Sequence, residues 1–362
     1  MKFIYCLLNL LATSFISAGD VSIGELRLVQ TSENEAARWI GEKEFLKLIL
    51  DGTHFIDKTD DLPESRSSAK IVDNFNVPTQ IKYKAQTQSA QSKLDPTRAK
   101  SFLTKLSNFH TRYYSTQTGL QAAQYIRDHA KSILANYNGV STVEEFKHSW
   151  LQPSIIARVA GTKYPNEIVV LGAHLDSINK YNPTTGRSPG ADDDGTGSTL
   201  LFEVLQSLVS SGFKPQRTIE FQWYAAEEVG LKGSRAIAQN YKQNGKNVVG
   251  MLQSDMVGYK AAGVNTLRVI TDFTDPTLTG FLKTLIGAYS KYAVKTDTCG
   301  YACSDHASYK ENGYRSSMLF ETVLARGYHT EKDVIEDVDF DYLNEFCKVA
   351  TAFAVEMAEP SN

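Results

Sequence analysis

Two histidines and a surplus of carboxylates follow short apolar runs in this chain. The run 168–173 leads into His174-Leu175-Asp176, and 219–224 leads shortly to Glu227-Glu228. The run 248–254 leads to Asp255, and 318–320 to Glu321 and then, past a loop, to His329. Burying an unpaired carboxylate is very costly, so two adjacent ones beside an apolar run raise the question of what receives them. The loop PGADDDG adds Asp192, Asp193 and Asp194 just before a helix. Imidazole plus carboxylate, with no cysteine among the donors, suits zinc and, less selectively, manganese or cobalt. More carboxylates converge than one ion needs. Two divalent ions sharing a bridging carboxylate would offset the repulsion, which is the arrangement of a two-metal hydrolase. Each motif alone is weak. A strand-end histidine is often only hydrogen-bonded, aspartates before helices are common caps, and paired glutamates are often a solvated turn. The conjunction, every group following a strand, carries the reading. Ser304-Asp305-His306 is not read as a triad, because neighbouring side chains diverge; Ser304 and Asp305 are expected to open a short helix.

Elements that could position these groups alternate along the chain. Runs rich in β-branched residues predict strands over 154–159, 168–173, 219–224, 248–254, 267–271 and 318–320. Helices are predicted over 95–109, opened by Asp95-Pro96, and over 118–137, 198–208, 234–243, 277–292 and 340–356. Strands alternating with helices imply an α/β fold, a three-layer αβα sandwich around a mixed, mostly parallel sheet. Ligands in such folds gather beyond the carboxyl ends of the strands, where the polar groups fall. Glu227 and Glu228 can both reach one site only if their strand ends and turns, which Gly230 permits. His174 and Asp176 share one face of an extended end, so the carboxylate can orient the imidazole. Gly190 and Gly195 flank Asp193 and let that loop fold tightly.

Bulk composition narrows the function classes. The 362 residues are 42% apolar and 22% charged, with net charge −3. No basic excess favours a nucleic-acid partner. Past the N-terminus no apolar run approaches the roughly 18 residues of a membrane span. Residues 1–18 (MKFIYCLLNLLATSFISA) are expected to be a secretory signal peptide, which makes the protein extracellular. Residues 19–75, approximately, are expected to form a propeptide, with DDLPESRSS as an exposed, cleavable linker. Residues 76–362 are then the catalytic domain. Cys6 leaves with the signal. Cys299 and Cys303, in CGYAC, are expected to pair in an oxidising compartment. Cys347 falls on the apolar face of the last helix and reads as a core thiol.

The motifs GAHLDS (172–177), PGADDDG (189–195), YAAEEVGLKGS (224–234), LQSDM (252–256), DTCGYACSDH (297–306) and His329-Thr330 resemble those of secreted bacterial and fungal leucyl aminopeptidases. These are co-catalytic zinc exopeptidases of metallopeptidase family twenty-eight, and the likeness spans about residues 90–358. It implies a zinc exopeptidase-like fold and two zinc ions per monomer. Asp193 would bridge them, with His174 and Asp255 completing one site and Glu228 and His329 the other. Glu227 would be the general base for a metal-activated water, and Asp176 would orient His174. Cys299 and Cys303 would form the family disulfide beside the substrate pocket. Met256, Tyr301, Met318, Phe320 and Tyr328, near the short loop TVLARGY (322–328), would make that pocket apolar. The substrates implied are peptides with a free N-terminus, and the proregion would act as the enzyme's own inhibitor. No membrane or nucleic-acid partner is implied, and a monomer is expected. Two other readings share the scaffold: a glutaminyl cyclase or carboxypeptidase, and a receptor-like ectodomain without catalysis.

Overall fold

The computed structural model describes residues 26–32, 35–61 and 75–361. The expected signal peptide, and all but the first two residues of the expected linker, lie outside them. In the N-terminal segment, β1 (Arg27–Gln30), β2 (Arg38–Ile40), α1 (Glu42–Asp51) and β3 (Ile56–Asp57) form a small antiparallel sheet with one helix. Two helices follow, α2 (Lys84–Gln91) and α3 (Pro96–Ser107), then α4 (Gln117–Leu134). Asp95 caps α3 by accepting from Thr97 N–H, with Pro96 in the first turn, as the Asp-Pro signal predicts. The strands β4 (Ser141–Phe146), β5 (Ser154–Val159) and β6 (Tyr164–His174) lead to α5 (Gly195–Ser210). Then come β7 (Arg217–Tyr224), α6 (Lys232–Gln243), β8 (Asn247–Ser254), β9 (Thr266–Ile270), α7 (Pro276–Tyr289) and β10 (Ala293–Asp297). The chain closes with α8 (His306–Glu311), β11 (Ser316–Phe320) and α9 (Phe340–Ala358).

Eight strands form the main sheet in the order β10-β9-β11-β8-β6-β7-β5-β4. Its centre, β11-β8-β6-β7, is parallel; β9 and β5 flank it antiparallel. The strand period of two assigns the faces. Along β6, Val169, Leu171 and Ala173 join the core under α3, α4, α5, α7 and α9, while Ile168 and Val170 join the core under α6 and α8. The predicted three-layer αβα sandwich is therefore present. The helix expected over 277–292 stops at Tyr289. Glu345 on α9 accepts from Lys291 N–H at 2.8 Å and from the Ser290 hydroxyl at 3.2 Å, which pulls the chain out of helical geometry and into β10. The exposed, alternating edge strands β4 and β10 carry too little apolar signal to be read from sequence.

Trp223 shows how the central layer is held. It is fully buried, stacks on Phe202 of α5 at 4.5 Å and donates from Nε1 to Ser198 O at 3.2 Å. Trp223→Ala is expected to cost about 3–5 kcal/mol, the range for a large aromatic cavity. Urea unfolding followed by circular dichroism would measure it; a cost below about 1 kcal/mol would mean the helix layer collapses to fill the gap.

The N-terminal segment is not separate from the body. Val29, Ile40, Phe45 and Ile49 share one buried cluster with Tyr113, Tyr114, Ile178, Ala226 and Val229. The first linker residues are anchored rather than free: Asp60 pairs with Lys232 at 2.8 Å and Asp61 with Arg235 at 2.7 Å. The expected exposed linker begins at Asp60, which is exposed, and at its first two residues the cations of α6 hold the chain.

Candidate active site

His174 ends β6, and Asp176 lies just beyond it. Glu227 and Glu228 follow β7 after a reversal in which Ala226 takes φ 58° and Gly230 φ 104°. A left-handed alanine is uncommon and costs of order 1–3 kcal/mol, so the surrounding structure must enforce it. Asp176 does part of that work. Its Oδ1 accepts from Glu227 N–H at 3.0 Å and its Oδ2 from Glu228 N–H at 3.2 Å. One carboxylate thus fixes the turn that aims both glutamates, and it also lies 3.6 Å from His174 Nδ1. Asp255 follows β8, and its Oδ2 accepts from the Ser304 hydroxyl at 2.6 Å. Ser304 and Asp305 do open a short helix, α8, as the sequence suggested.

The candidate ligands converge around Asp193. Its Oδ1 lies 3.0 Å from His174 Nε2, and its Oδ2 lies 3.1 Å from His329 Nε2. His329 Nε2 is also 2.7 Å from Glu228 Oε2, and His174 Nε2 is 3.7 Å from Asp255 Oδ1. Glu227 Oε2 stands further back, 4.0 Å from His174 Nε2. Asp194 is also close enough to His174 and Asp255 to share an ion. Its oxygens are already engaged, however, accepting from the N–H groups of His174 (3.0 Å), Gly197 (2.8 Å) and Met256 (3.2 Å). The plain reading of the aspartate run as a helix cap holds for Asp194 alone.

Charge in this cluster is unbalanced. Burial pushes the Glu227 carboxyl well above its usual range; His174 opposes that, and Asp305, Asp255 and Glu228 add to it. Glu228 is pushed up to about 7 by burial and by Asp193. Burial would lower His329, but Glu228 and Asp193 lift it to about 10. Burial and mutual repulsion thus push the carboxyls up, while the facing carboxylates push the His329 imidazole up. Glu228 Oε1 is buried with no hydrogen-bond partner among the described residues. An excess of inward-facing oxygens, one of them orphaned, and two imidazole nitrogens facing a shared carboxylate fit divalent cations.

Sequence reasoning missed the groups that hold the Asp193 loop. Asp333 accepts from Asp192 N–H at 2.8 Å and from Asp193 N–H at 3.0 Å, tying that loop to the one carrying His329. The buried Arg112 guanidinium donates to Leu175 O at 2.8 Å, to Gly190 O at 2.9 Å and to Pro189 O. Asp333 lies only four residues past His329, which could have drawn attention to it; Arg112 had no such signal. Glu321, at the end of β11, is not among the converging groups. It accepts from Tyr259 N–H (2.8 Å) and Ala325 N–H (3.1 Å) and braces two loops.

A cavity of about 270 Å³ opens on the cluster, lined by Asp193, Glu227, Glu228, Asp255 and His329. Its walls include Ile178, Met256, Phe320, Leu324, Tyr328, Tyr301 and the Cys299–Cys303 bridge. Cys347 is a buried free thiol, as expected. Met318 is corrected as a pocket residue. It is fully buried, paired with Gln253 and Ile270 one step deeper in the sheet than Phe320, and it does not line the cavity. Unforeseen is the contribution of the N-terminal segment, whose Ile49 and residues 52–55 form one wall. His54 stacks on Tyr301 with ring centroids 3.9 Å apart.

Comparison with known proteins agrees with this geometry. The profile of peptidase family M28 matches residues 154–354. The chain is 39% identical over 340 residues to a probable leucine aminopeptidase of Arthroderma benhamiae, covering 92% of each chain. It is 38% identical over 341 residues to leucine aminopeptidase 1 of Coccidioides posadasii, covering 90% of this chain and 87% of that one. Among solved structures it is similar to the LapA aminopeptidase of Legionella pneumophila, with TM-score 0.79 and 28% identity over 93% of this chain and 95% of that one. With the strand-end cluster and these likenesses together, the chain belongs to peptidase family M28 and is a metallo-aminopeptidase.

Proposed function

We propose that this protein is a secreted, dinuclear zinc aminopeptidase that removes leucine-like residues from the free N-terminus of peptides, made as a zymogen silenced by its N-terminal segment. One observation carries the metal reading: the two oxygens of Asp193 face His174 and His329 separately, at 3.0 and 3.1 Å. That arrangement supports a carboxylate shared between two ions. His174 and Asp255 would complete one site, Glu228 and His329 the other. Bound divalent cations would acidify a water and polarise the scissile carbonyl. The work of the side chains follows. Glu227, set back from the ligand cluster, takes the proton of the attacking water and returns it to the departing amine. Asp176 keeps Glu227 and Glu228 in register through their backbone amides.

Met256, Phe320, Leu324 and Tyr328 present an apolar wall beside these groups, which supports leucine-like side chains, as do the names of the relatives. Leu324 and Tyr328 belong to the short loop before His329, so that loop still walls the pocket. The apolar residues 1–18 and the Cys299–Cys303 bridge support secretion.

Elemental analysis of the purified chain should find about two zinc ions per protein. A chelator should abolish hydrolysis of a leucine anilide, and added zinc should restore it. Asp193→Asn, which removes the shared negative charge, is expected to drop bound metal below about one ion per chain and to remove turnover with it. Full metal content in this variant would mean Asp193 does not bridge.

A further inference from the structure

Release of the N-terminal segment would uncover more than the catalytic cavity. We propose that the strip it covers is a peptide-binding subsite that selects substrates with acidic residues downstream of the cleaved bond. This rests on the zymogen reading above.

The segment follows a path with a direction. Residues 52–55 line the cavity. Ile56 then packs into a slot with Leu231 and Ala307, bordered by Phe273 and Ala302. Asp57 N–H donates to Gly230 O at 3.1 Å. A Cβ at Gly230 would sit 2.4 Å from Asp57 N, so only glycine allows this backbone to come so close. Asp57 Oδ2 lies 3.4 Å from Lys232 Nζ, and Asp60 Oδ2 lies 2.8 Å from it. Asp61 pairs with Arg235 at 2.7 Å, and Arg235 also pairs with Glu311 of the body. The chain thus runs from the catalytic cluster outward in the N-to-C direction, over the first turn of α6. A peptide held by its amino terminus at the cluster has the same polarity, and its later residues leave along the same line.

Charge identifies the occupant. Lys232 is almost fully buried, with Trp150 5.0 Å below its ammonium. Among the described residues, the carboxylates that pair with it, Asp57 and Asp60, both belong to the N-terminal segment. Once the segment leaves, the Lys232 ammonium over Trp150 has lost both of these counter-charges, and a substrate carboxylate would restore one. The segment itself is acidic, with twelve acidic against seven basic residues over 20–75, as an internal mimic of such a substrate would be.

The test uses the full-length chain with a protease site inserted between Asp61 and Phe75. The cut enzyme, separated from its N-terminal piece, is assayed on a leucine anilide and on two eight-residue peptides that begin with leucine and carry either Asp or Asn at positions four, seven and eight. Cutting is expected to raise anilide turnover. The Asp peptide is expected to be preferred by about three- to tenfold in kcat/KM at low salt, mainly through KM, as one or two partly exposed ion pairs allow. The preference should shrink at 0.5 M salt, because these charges would then be screened. In Lys232→Gln the Asp-to-Asn ratio should fall toward one. The wild-type salt dependence keeps the test decisive if that variant folds poorly. Equal kcat/KM for the two peptides, in a cut enzyme that has gained anilide turnover, would overturn the subsite and leave the zymogen reading intact. No gain on cutting would overturn both.

Discussion

Glu227→Gln is expected to lower kcat on a leucine anilide by roughly 10²–10⁴-fold, the range lost with a general base, while bound metal stays near two ions per chain. The separation of these readouts follows from position. Glu228 lies 2.7 Å from His329, among the groups that could hold an ion, whereas Glu227 Oε2 approaches His174 no closer than 4.0 Å. Glutamine keeps the shape and leaves the Glu227 backbone amide on Asp176 intact, so the turn should survive. It cannot accept a proton from water. A fall in metal content alongside kcat would make Glu227 a ligand. Unchanged kcat would remove it from the reaction.

Removing the N-terminal segment, by cutting between Asp61 and Phe75 and separating the pieces, is expected to raise turnover by about 10- to 1000-fold. The segment is built into the site: residues 52–55 form a cavity wall, His54 lies flat on Tyr301, and Asp57 bonds to Gly230. Such contacts within one chain leave the open form as a minor state, populated at about 0.1–10%. Turnover then rises in proportion when that state becomes the whole population. The measurement is initial rate on a leucine anilide before and after cutting, with zinc in excess. Equal rates would mean the segment is a permanent part of the enzyme.

Much of the site was legible because its groups follow strands that can be recognised one by one. His174, Glu227 and Asp255 each come after a run whose burial is written in consecutive β-branched and aromatic residues. Asp193 was harder: its loop has no period, and only the number of surrounding carboxylates and the family likeness singled it out. Arg112 was illegible, and the role of Asp333 could not be read, because their partners lie far away in sequence. Asp333 meets Asp192 across 141 positions. How the N-terminal segment docks on the body was illegible for a related reason. Its strands are only two to four residues long, and Phe45 and Ile49 find their core on another part of the chain. Met318 and Phe320 share a face of β11 by period two, so spacing could not tell which of them sits deep enough to miss the cavity.

Asp333 has a mechanical consequence. His329 sits in the long connection between β11 and α9, where little regular structure could keep an imidazole in place. By gripping the amides of Asp192 and Asp193, the Asp333 carboxylate welds that connection to the loop in front of α5. Displacing either loop therefore breaks the two hydrogen bonds that also steady the other, so disorder at His329 reaches Asp193 directly.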